Sequence, residues 1–438
     1  MKVLVVGGGG REHAILRKLA ESPQQPQLFC APGNGGIAAD ATCVKIKATD
    51  VEGMVEWAVA NSIDYVVVAP DDPLVLGMVD ALAEKGIPAF GPNKAAAILE
   101  GSKVFSKNLM RKYGIPTAGY ETFDAPAAAL AYLKANNTYP IVIKADGLAL
   151  GKGVLICAGA AEAAAAVKSI MEDKQFGASG NHIVIEEFLT GPEVSVLSFT
   201  DGKTVVPMVS SMDHKRALDG DEGLNTGGMG TIAPNPFYTE EIAAVCMDTI
   251  FKPTIDAMNA EGRSFHGCLY FGLMLTPHGP KVIEYNCRFG DPETQVVLPL
   301  LESDLLAVMQ ATTNGTLAET PVAFRDGAAA CVVLASGGYP QSYQIGKVIS
   351  GLTKGQLPHR ADATVYHAGT ILGEDNDEIL LTSGGRVLGV TAVADSLLGA
   401  IKAAYAAAED IAFDGCHKRR DIGQKALAAH AAQHTKGE

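Results

Sequence analysis

KVIEYNCRFGDPETQ, residues 281–295, alternates with the period of a strand and sets Glu284, Asn286 and Arg288 on one face. Ile283, Tyr285, Cys287 and Phe289 fall on the other. A pleated strand here would bury one side and hold a carboxylate, an amide and a guanidinium in a row, about 7 Å apart. Carboxylate and amide oxygens are hard ligands of the kind Mg²⁺ accepts, and Mg²⁺ commonly completes its shell with substrate phosphates and water. Arg288 would then hold a second anion nearby. A solvated edge strand with an ion pair fits the segment equally well, so the rest of the chain decides. Upstream, residues 268–275 read as a second strand, and the turn Thr276-Pro277-His278-Gly279-Pro280 makes the two an antiparallel hairpin.

The chain has 438 residues, too many for one core, and length alone suggests about three domains. Apolar residues make up 47% and charged residues 19%, with 48 glycines and 22 prolines, as in a globular α/β protein with many loops. A net charge of −14 argues against a nucleic-acid or anionic-membrane partner, which would need a concentrated basic surface. It leaves a nucleotide substrate open, because local cations can hold phosphates. No run approaches the ~20 apolar residues of a membrane span. MKVLVVGGGGREH at the start reads as a first strand and not as a signal peptide. The eight cysteines are scattered without zinc-like spacing and read as reduced cytoplasmic thiols.

Working outward from the N-terminus, residues 2–6 form an apolar strand, and Gly7 to Gly10 turn into a helical pattern whose N-terminus suits a phosphate. The dinucleotide fingerprint fails there: Gly7 and Gly9 fit, but the last position is Glu12, and no acid ends the next strand, 27–30. A smaller phosphorylated ligand, or a purely structural turn, fits better. Strands at 65–69 and 87–90 with a helix at 74–85 complete a doubly wound unit, bounded near Gly101. A helix at 102–113 carries Lys103 and Lys107.

YPIVIKADGLALGKGVLIC, residues 139–157, reads as strand, glycine loop, strand. It is not a P-loop, since Gly147 and Gly151 are three residues apart where that motif needs four, and a strand follows instead of a helix. Backbone N–H groups and lysines folding over phosphates suit it. A helix at 158–171 and a strand at 182–188 lead to IEEFLTGPEVSV, a linker with acids such as Glu193 that can accept ribose hydroxyls. SMDHKRALDGDEGLNTGGMG, residues 211–230, lacks apolar periodicity and reads as a functional loop in which His214, Lys215 and Arg216 gather positive charge. Helices at 239–261 and 293–309 flank the hairpin.

In this order, GGGGREHA, KADGLALGKGV, EEFLTGPE, DHKRALDGDEGLNTGGMG, EYNCRFGDPETQ and SGGRVL at 383–388 resemble the glycinamide ribonucleotide synthetase family of the ATP-grasp superfamily over nearly the whole chain. Departures from the usual pattern are Ala69-Pro70-Asp71-Asp72-Pro73, Pro192 before Glu193, and Leu224 in place of a proline. The resemblance implies an α/β and α+β multidomain fold. Its parts are an N-terminal doubly wound parallel-sheet domain at 1–101 and an ATP-grasp core with antiparallel sheets at 102–325, including a small lid at about 123–190. An α+β C-terminal domain at 326–425 and a frayed tail at 426–438 follow.

It also implies a cytoplasmic ligase of purine biosynthesis that joins glycine to 5-phosphoribosylamine with ATP and Mg²⁺, Mn²⁺ being the alternative metal. By position, Lys103, Lys144, Gly151 and Lys152 would contact ATP phosphates, Glu186, Glu187, Phe188 and Leu189 would frame adenine, and Glu193 would hold the ribose. Glu284 and Asn286 match the family's metal ligands. Arg288, Lys215, Asp213 and the turn Asn225, Thr226, Gly227, Gly228 fall where the acid substrate and acyl phosphate are handled. Gly8, Gly9, Gly10 and Arg11 would take the phosphoribosyl group. The expected partners are small molecules only, for a monomer that transiently meets the enzyme supplying its amine. A NAD-dependent oxidoreductase would need only Gly7 to Gly10, and the broken fingerprint opposes it.

Overall fold

A computed structural model describes residues 1–136, 138–148, 153–374, 376 and 378–434. Its first sheet is parallel, with Lys2–Gly7 at the centre between Gln27–Pro32 and Tyr65–Val68, and Thr42–Cys43 and Ala89–Phe90 at the edges. The central strand shows why an unbroken apolar run was needed. Val3 and Val5 enter one core and Leu4 and Val6 another, so both faces are covered. The expected helix at 74–85 is two helices, Asp71–Leu76 and Met78–Glu84, broken at Gly77, whose φ of +96° is left-handed.

Two antiparallel sheets build the middle of the chain. In the smaller, the order is Tyr120–Phe123, Ile183–Glu187, Ile141–Ala145, Val154–Cys157. In the other, Val205–Pro207, Glu193–Asp201, His266–Thr276 and Gly279–Asn286 lie side by side. The expected hairpin is there, with one change of face. Glu284 pairs with Gly272 and Val282 with Leu273, leaving Ile283 as the extra residue of a bulge. Val282 and Tyr285 are therefore the buried pair, and Ile283 is only half-buried. The bulge turns Glu284 and Asn286 toward the cleft between the two sheets, where the Lys144 ammonium donates to the Ile283 carbonyl at 3.2 Å.

A fourth sheet crosses the expected boundary at 325/326. Met212–Asp213 pairs with Gly230–Ala233, which pairs with Ala328–Ser336, and the sheet continues to Arg386–Ala394 and Ala363–His367. Both ends of the segment read as a loop are thus sheet strands, too short to show a period. Helix Leu397–Ala408 covers this sheet. The expected helix at 293–309 is instead Thr294–Val297, a turn at Leu298–Leu300, and Leu305–Asn314, capped by Asp304. Within the expected frayed tail at 426–438, Gln424–His434 is helical and Ala426 is fully buried in the C-terminal core, while 435–438 lie outside the described residues. Among the described residues, no helix is long and apolar enough to cross a membrane.

Candidate functional site

Charged side chains from both antiparallel sheets and from the 211–230 segment meet in the cleft. Glu284, about one-third exposed, lies 3.7 Å from the Lys215 ammonium, which also sits 3.2 Å from Glu193. Burial opposes ionisation of Glu284, but Lys215, Lys144, Lys103 and Arg288 outweigh it and hold its carboxyl below the usual range. Glu193, with Glu284 behind it, pushes the Lys215 ammonium well above its ordinary range. Glu193 reaches Lys215 from the first residue of strand Glu193–Asp201.

Lys103 and Lys144 approach from the small sheet's side. Lys103 donates to the Gly147 carbonyl at 2.7 Å, and Ser102 caps its helix, Lys103–Tyr113. Lys144 and Lys107 take one oxygen each of the Glu186 carboxylate, and all three side chains are buried. The two ammonium groups keep Glu186 ionised against its burial. Glu186, expected beside adenine, thus has its carboxylate committed to lysines, and its main chain lies in an inner strand between Tyr120 and Val142. Glu187 pairs with Lys281 at 2.8 Å, while Phe188 and Leu189 follow the strand as exposed and half-buried linker residues. Gly151 and Lys152 lie outside the described residues.

Arg288 is set by Asn286 and by Glu100, which the sequence did not single out. Its Nη2 lies 3.1 Å from Glu100 and donates to Asn286 Oδ1 at 3.3 Å, and its buried Nε has no partner among the described residues. Burial pushes Glu100 up to about 7, against the pull of Arg288 and with Asp71 adding to the rise. Glu100 also accepts from the Cys287 amide at 2.6 Å, so it fixes the end of strand Gly279–Asn286 as well as Arg288.

Asp213 is raised well above the carboxylate range by burial and by nearby Glu293, and its Oδ1 is buried without a hydrogen bond among the described residues. Glu293 is itself buried, accepting from Tyr270 at 3.1 Å. The turn after Asn225 packs against these acids. Thr226 donates through its amide and hydroxyl to the Lys215 carbonyl at 2.7 and 2.9 Å. At Gly228, φ is +115° and an added Cβ would lie 2.5 Å from both Asp213 and Pro292. Arg386, from the SGGRVL stretch, donates to the carbonyls of Gly227 at 2.6 Å and Asp291 at 2.7 Å, and Tyr339 accepts from the Gly227 amide at 3.1 Å.

The three consecutive basic residues do not act together. Only Lys215 faces the acids of the cleft. His214 is buried, its pKa lowered to about 4 by burial and Arg419, with Nδ1 on the Gly230 carbonyl and Nε2 accepting from the Gly423 amide. Arg216 donates to Gly223 on an exposed hairpin.

A further pocket of about 460 Å³ opens at the N-terminal glycine turn, lined by Gly7, Gly8, Gly9, Arg11, Lys47 and Asp291 among others. Glu12, which breaks the dinucleotide fingerprint, folds back to accept from the Gly9 amide at 2.6 Å and closes that turn. Arg11 is held by Glu12 at 2.7 Å and by the Phe289 carbonyl at 3.0 Å. Gly10 faces Gln295, whose amide would lie 2.5 Å from an added Cβ. Asp291, whose Oδ2 accepts from the Arg11 amide at 3.3 Å, joins this pocket to the cleft. No group of three or more His, Cys, Asp or Glu residues converges for a metal among the described residues. Glu284 and Asn286 nevertheless present a carboxylate and an amide oxygen from one strand face, the donor set of a metal held partly by substrate phosphate.

Comparison with known proteins matches residues 1–100, 101–294 and 329–425 to the N domain, the ATP-grasp (A) domain and the C domain of phosphoribosylglycinamide synthetase. The chain is 47% identical over 422 residues to a phosphoribosylamine–glycine ligase of Caldanaerobacter subterraneus subsp. tengcongensis, covering 96% of this chain and 99% of that one. The crystal structure of phosphoribosylamine–glycine ligase from Thermotoga maritima superposes with a TM-score of 0.84 at 34% identity, over 96% of this chain and all of that one (100%). A biotin carboxylase domain from Hydrogenobacter thermophilus shares the fold, with a TM-score of 0.72 at 16% identity over 95% of this chain and 91% of that one. Sequence, fold and cleft agree, and the chain belongs to the phosphoribosylglycinamide synthetase family.

Proposed function

We propose that this chain joins glycine to 5-phosphoribosylamine in purine biosynthesis, cleaving ATP to ADP and phosphate through a glycyl phosphate. The observation that carries the reading is the convergence of Glu284 and Asn286 with Lys103, Lys144 and Lys215 in one cleft, in a chain that matches this family along its length. ATP and a divalent metal serve the reaction, and we assign Mg²⁺ as that metal. When bound by Glu284 and Asn286, it offsets phosphate charge.

A glycine carboxylate oxygen attacks the γ-phosphorus and ADP leaves. The amine nitrogen then attacks the glycyl carbonyl and loses a proton, and inorganic phosphate departs. Lys103 and Lys144 face the transferring charge, while Arg288, fixed by Glu100, orients the glycine carboxylate. We assign Asp213, packed against the Gly228 turn, to the handling of the acyl phosphate and the amine. The glycine turn in the N-terminal pocket would take the phosphoribosyl phosphate on its backbone N–H groups. No protein nucleophile is needed, and holding the reactants together supplies on the order of 7–11 kcal/mol.

The eight cysteines are free thiols, which supports a reducing, cytoplasmic setting. The test is ADP release with Mg-ATP and a panel of amino acids, with the amine generated from ribose 5-phosphate and ammonia. Turnover that requires both glycine and the amine establishes the reading. Turnover with a different acid would keep the ATP site and overturn the substrate.

A further inference from the structure

Residues 213–228 carry Asp213, Lys215 and the Asn225–Gly228 turn, yet apolar packing does not hold their outer half. Leu218 and Leu224 at its tip are 47% and 51% exposed. The hold comes from a distant part of the chain. Arg419, only 1% exposed, places its guanidinium beneath the hairpin. Its Nε and Nη2 donate to the two oxygens of Asp421, both at 2.8 Å, Nη2 also meets Asp221 at 2.9 Å, and Nη1 donates to the Arg216 carbonyl at 3.1 Å.

Its neighbours repeat the pattern. His417 Nε2 bonds the Ala217 carbonyl at 2.8 Å, the Arg420 amide donates to Asp219 at 2.7 Å, and the Gly220 amide donates to Asp421 at 2.9 Å. The Gly423 amide donates to His214 at 3.1 Å, and Lys425 pairs with the second oxygen of Asp221. This grip is anchored in turn: Tyr405, on helix Leu397–Ala408, donates to the Arg419 carbonyl at 2.8 Å and accepts from the Ile422 amide at 3.0 Å.

We propose that segment 416–425 is a clasp that positions the substrate loop, with Arg419 as its central positioning residue. The inference rests on the ligase reading for its catalytic consequence, but not for the clasp itself. Its chemistry is specific. Two cations, Arg419 and Lys425, face two anions, Asp221 and Asp421, so charge is balanced. A planar guanidinium spans both carboxylates and a carbonyl at once, which a lysine ammonium cannot do. Through Arg216 and Asp221 the clasp fixes the first strand of the hairpin and its connecting turn, and through them the Lys215 main chain and the Thr226 hydrogen bonds. A loosened loop would still admit ATP, whose lysines lie elsewhere. It would leave the acyl phosphate open to water before the amine arrives.

The test compares full-length Arg419→Gln and Arg419→Lys with the unaltered chain, reading ADP and ligated product in one mixture and amide hydrogen exchange of the loop without substrate. For Arg419→Gln we expect the KM for ATP to stay within about twofold while product formation falls about 10- to 100-fold. ADP released per product should rise from one to several. The Thr226 and Met229 amides should exchange about tenfold faster or more, and Arg419→Lys should recover only part of each effect.

A role confined to global folding would lower the amount of active enzyme and leave one ADP per product. Unchanged coupling together with unchanged loop exchange would overturn the clasp. If Arg419→Gln does not fold, His417→Ala, which removes one tie to Ala217, should give the same changes at smaller amplitude, and its failure to do so would also overturn it. An unaltered chain that releases no ADP with glycine would sink the ligase reading alone, because loop exchange still decides the clasp.

Discussion

Lys144 and Glu186, 4% and 5% exposed, form an ion pair across neighbouring strands of the small sheet, with Lys144 also donating to the Ile283 carbonyl of strand Gly279–Asn286. Lys107 takes the second carboxylate oxygen, so one buried anion holds two buried cations. Such a group contributes little net stability when intact, but removing one member strands the others.

Glu186→Gln should therefore destabilise the protein by about 3–5 kcal/mol, because two ammonium groups lose their counter-ion in a buried site. Urea denaturation with the slope held fixed checks this. A loss below about 1 kcal/mol would mean that the cleft is wet enough to solvate both lysines.

Glu284→Gln keeps the shape of strand Gly279–Asn286 and removes the charge of its proposed metal ligand. ADP release should fall at least about 100-fold, in the range seen when one charge-stabilising group is lost. Higher metal concentration should recover part of the rate, and circular dichroism should stay unchanged. Recovery by metal separates a lost ligand from a lost fold.

Gly228→Ala places a Cβ 2.5 Å from Asp213 and Pro292 at a φ of +115°. Strain and overpacking together should destabilise by about 1–3 kcal/mol. The Asp213 carboxylate must move, so product formation should fall more than the KM for ATP changes. Steady-state kinetics on the folded fraction reads both.

Three buried histidines set an acid limit. Burial lowers His13, brings His214 to about 4, and, with His13 beside it, brings His367 to about 3. His13 bonds Asp40 at 2.8 Å and accepts from the His367 amide at 2.8 Å, tying the N-terminal helix to the C-terminal sheet. A depressed folded pKa means that the unfolded chain takes up the proton first. Stability is full above about pH 6.5 and falls as the pH drops toward the folded values, by about 2 kcal/mol per histidine at pH 5 for His214 and His367. Denaturation midpoints between pH 7 and 5 check the sign, and His214→Asn should flatten part of the slope.

How much of this was legible in the sequence depends on how far apart the partners lie. Glu284 and Asn286 were readable because a period of two puts them on one face. The bulge at Ile283 was not, since it arises from pairing with Gly272 and Leu273. Glu100 and Arg386 escaped notice because each acts on a residue far away in sequence, Arg288 in one case and Gly227 in the other. SGGRVL offered the one local signal for Arg386. His214 looked cationic beside Lys215 and Arg216, but burial makes it a neutral acceptor for a distant amide. Lys107 shared a helix with Lys103 four residues earlier, and only the fold shows that it turns to Glu186.

The central claim is an acyl phosphate made from the carboxylate of glycine. Glycine labelled with oxygen-18 in both carboxyl positions tests it directly, with the phosphate analysed by mass after turnover with ATP and the amine. Attack on the γ-phosphorus followed by amine attack on carbon transfers one labelled oxygen to each phosphate and leaves the other in the amide. Phosphate without label would contradict the account, because ATP would then have been cleaved by water and the amide formed by another route.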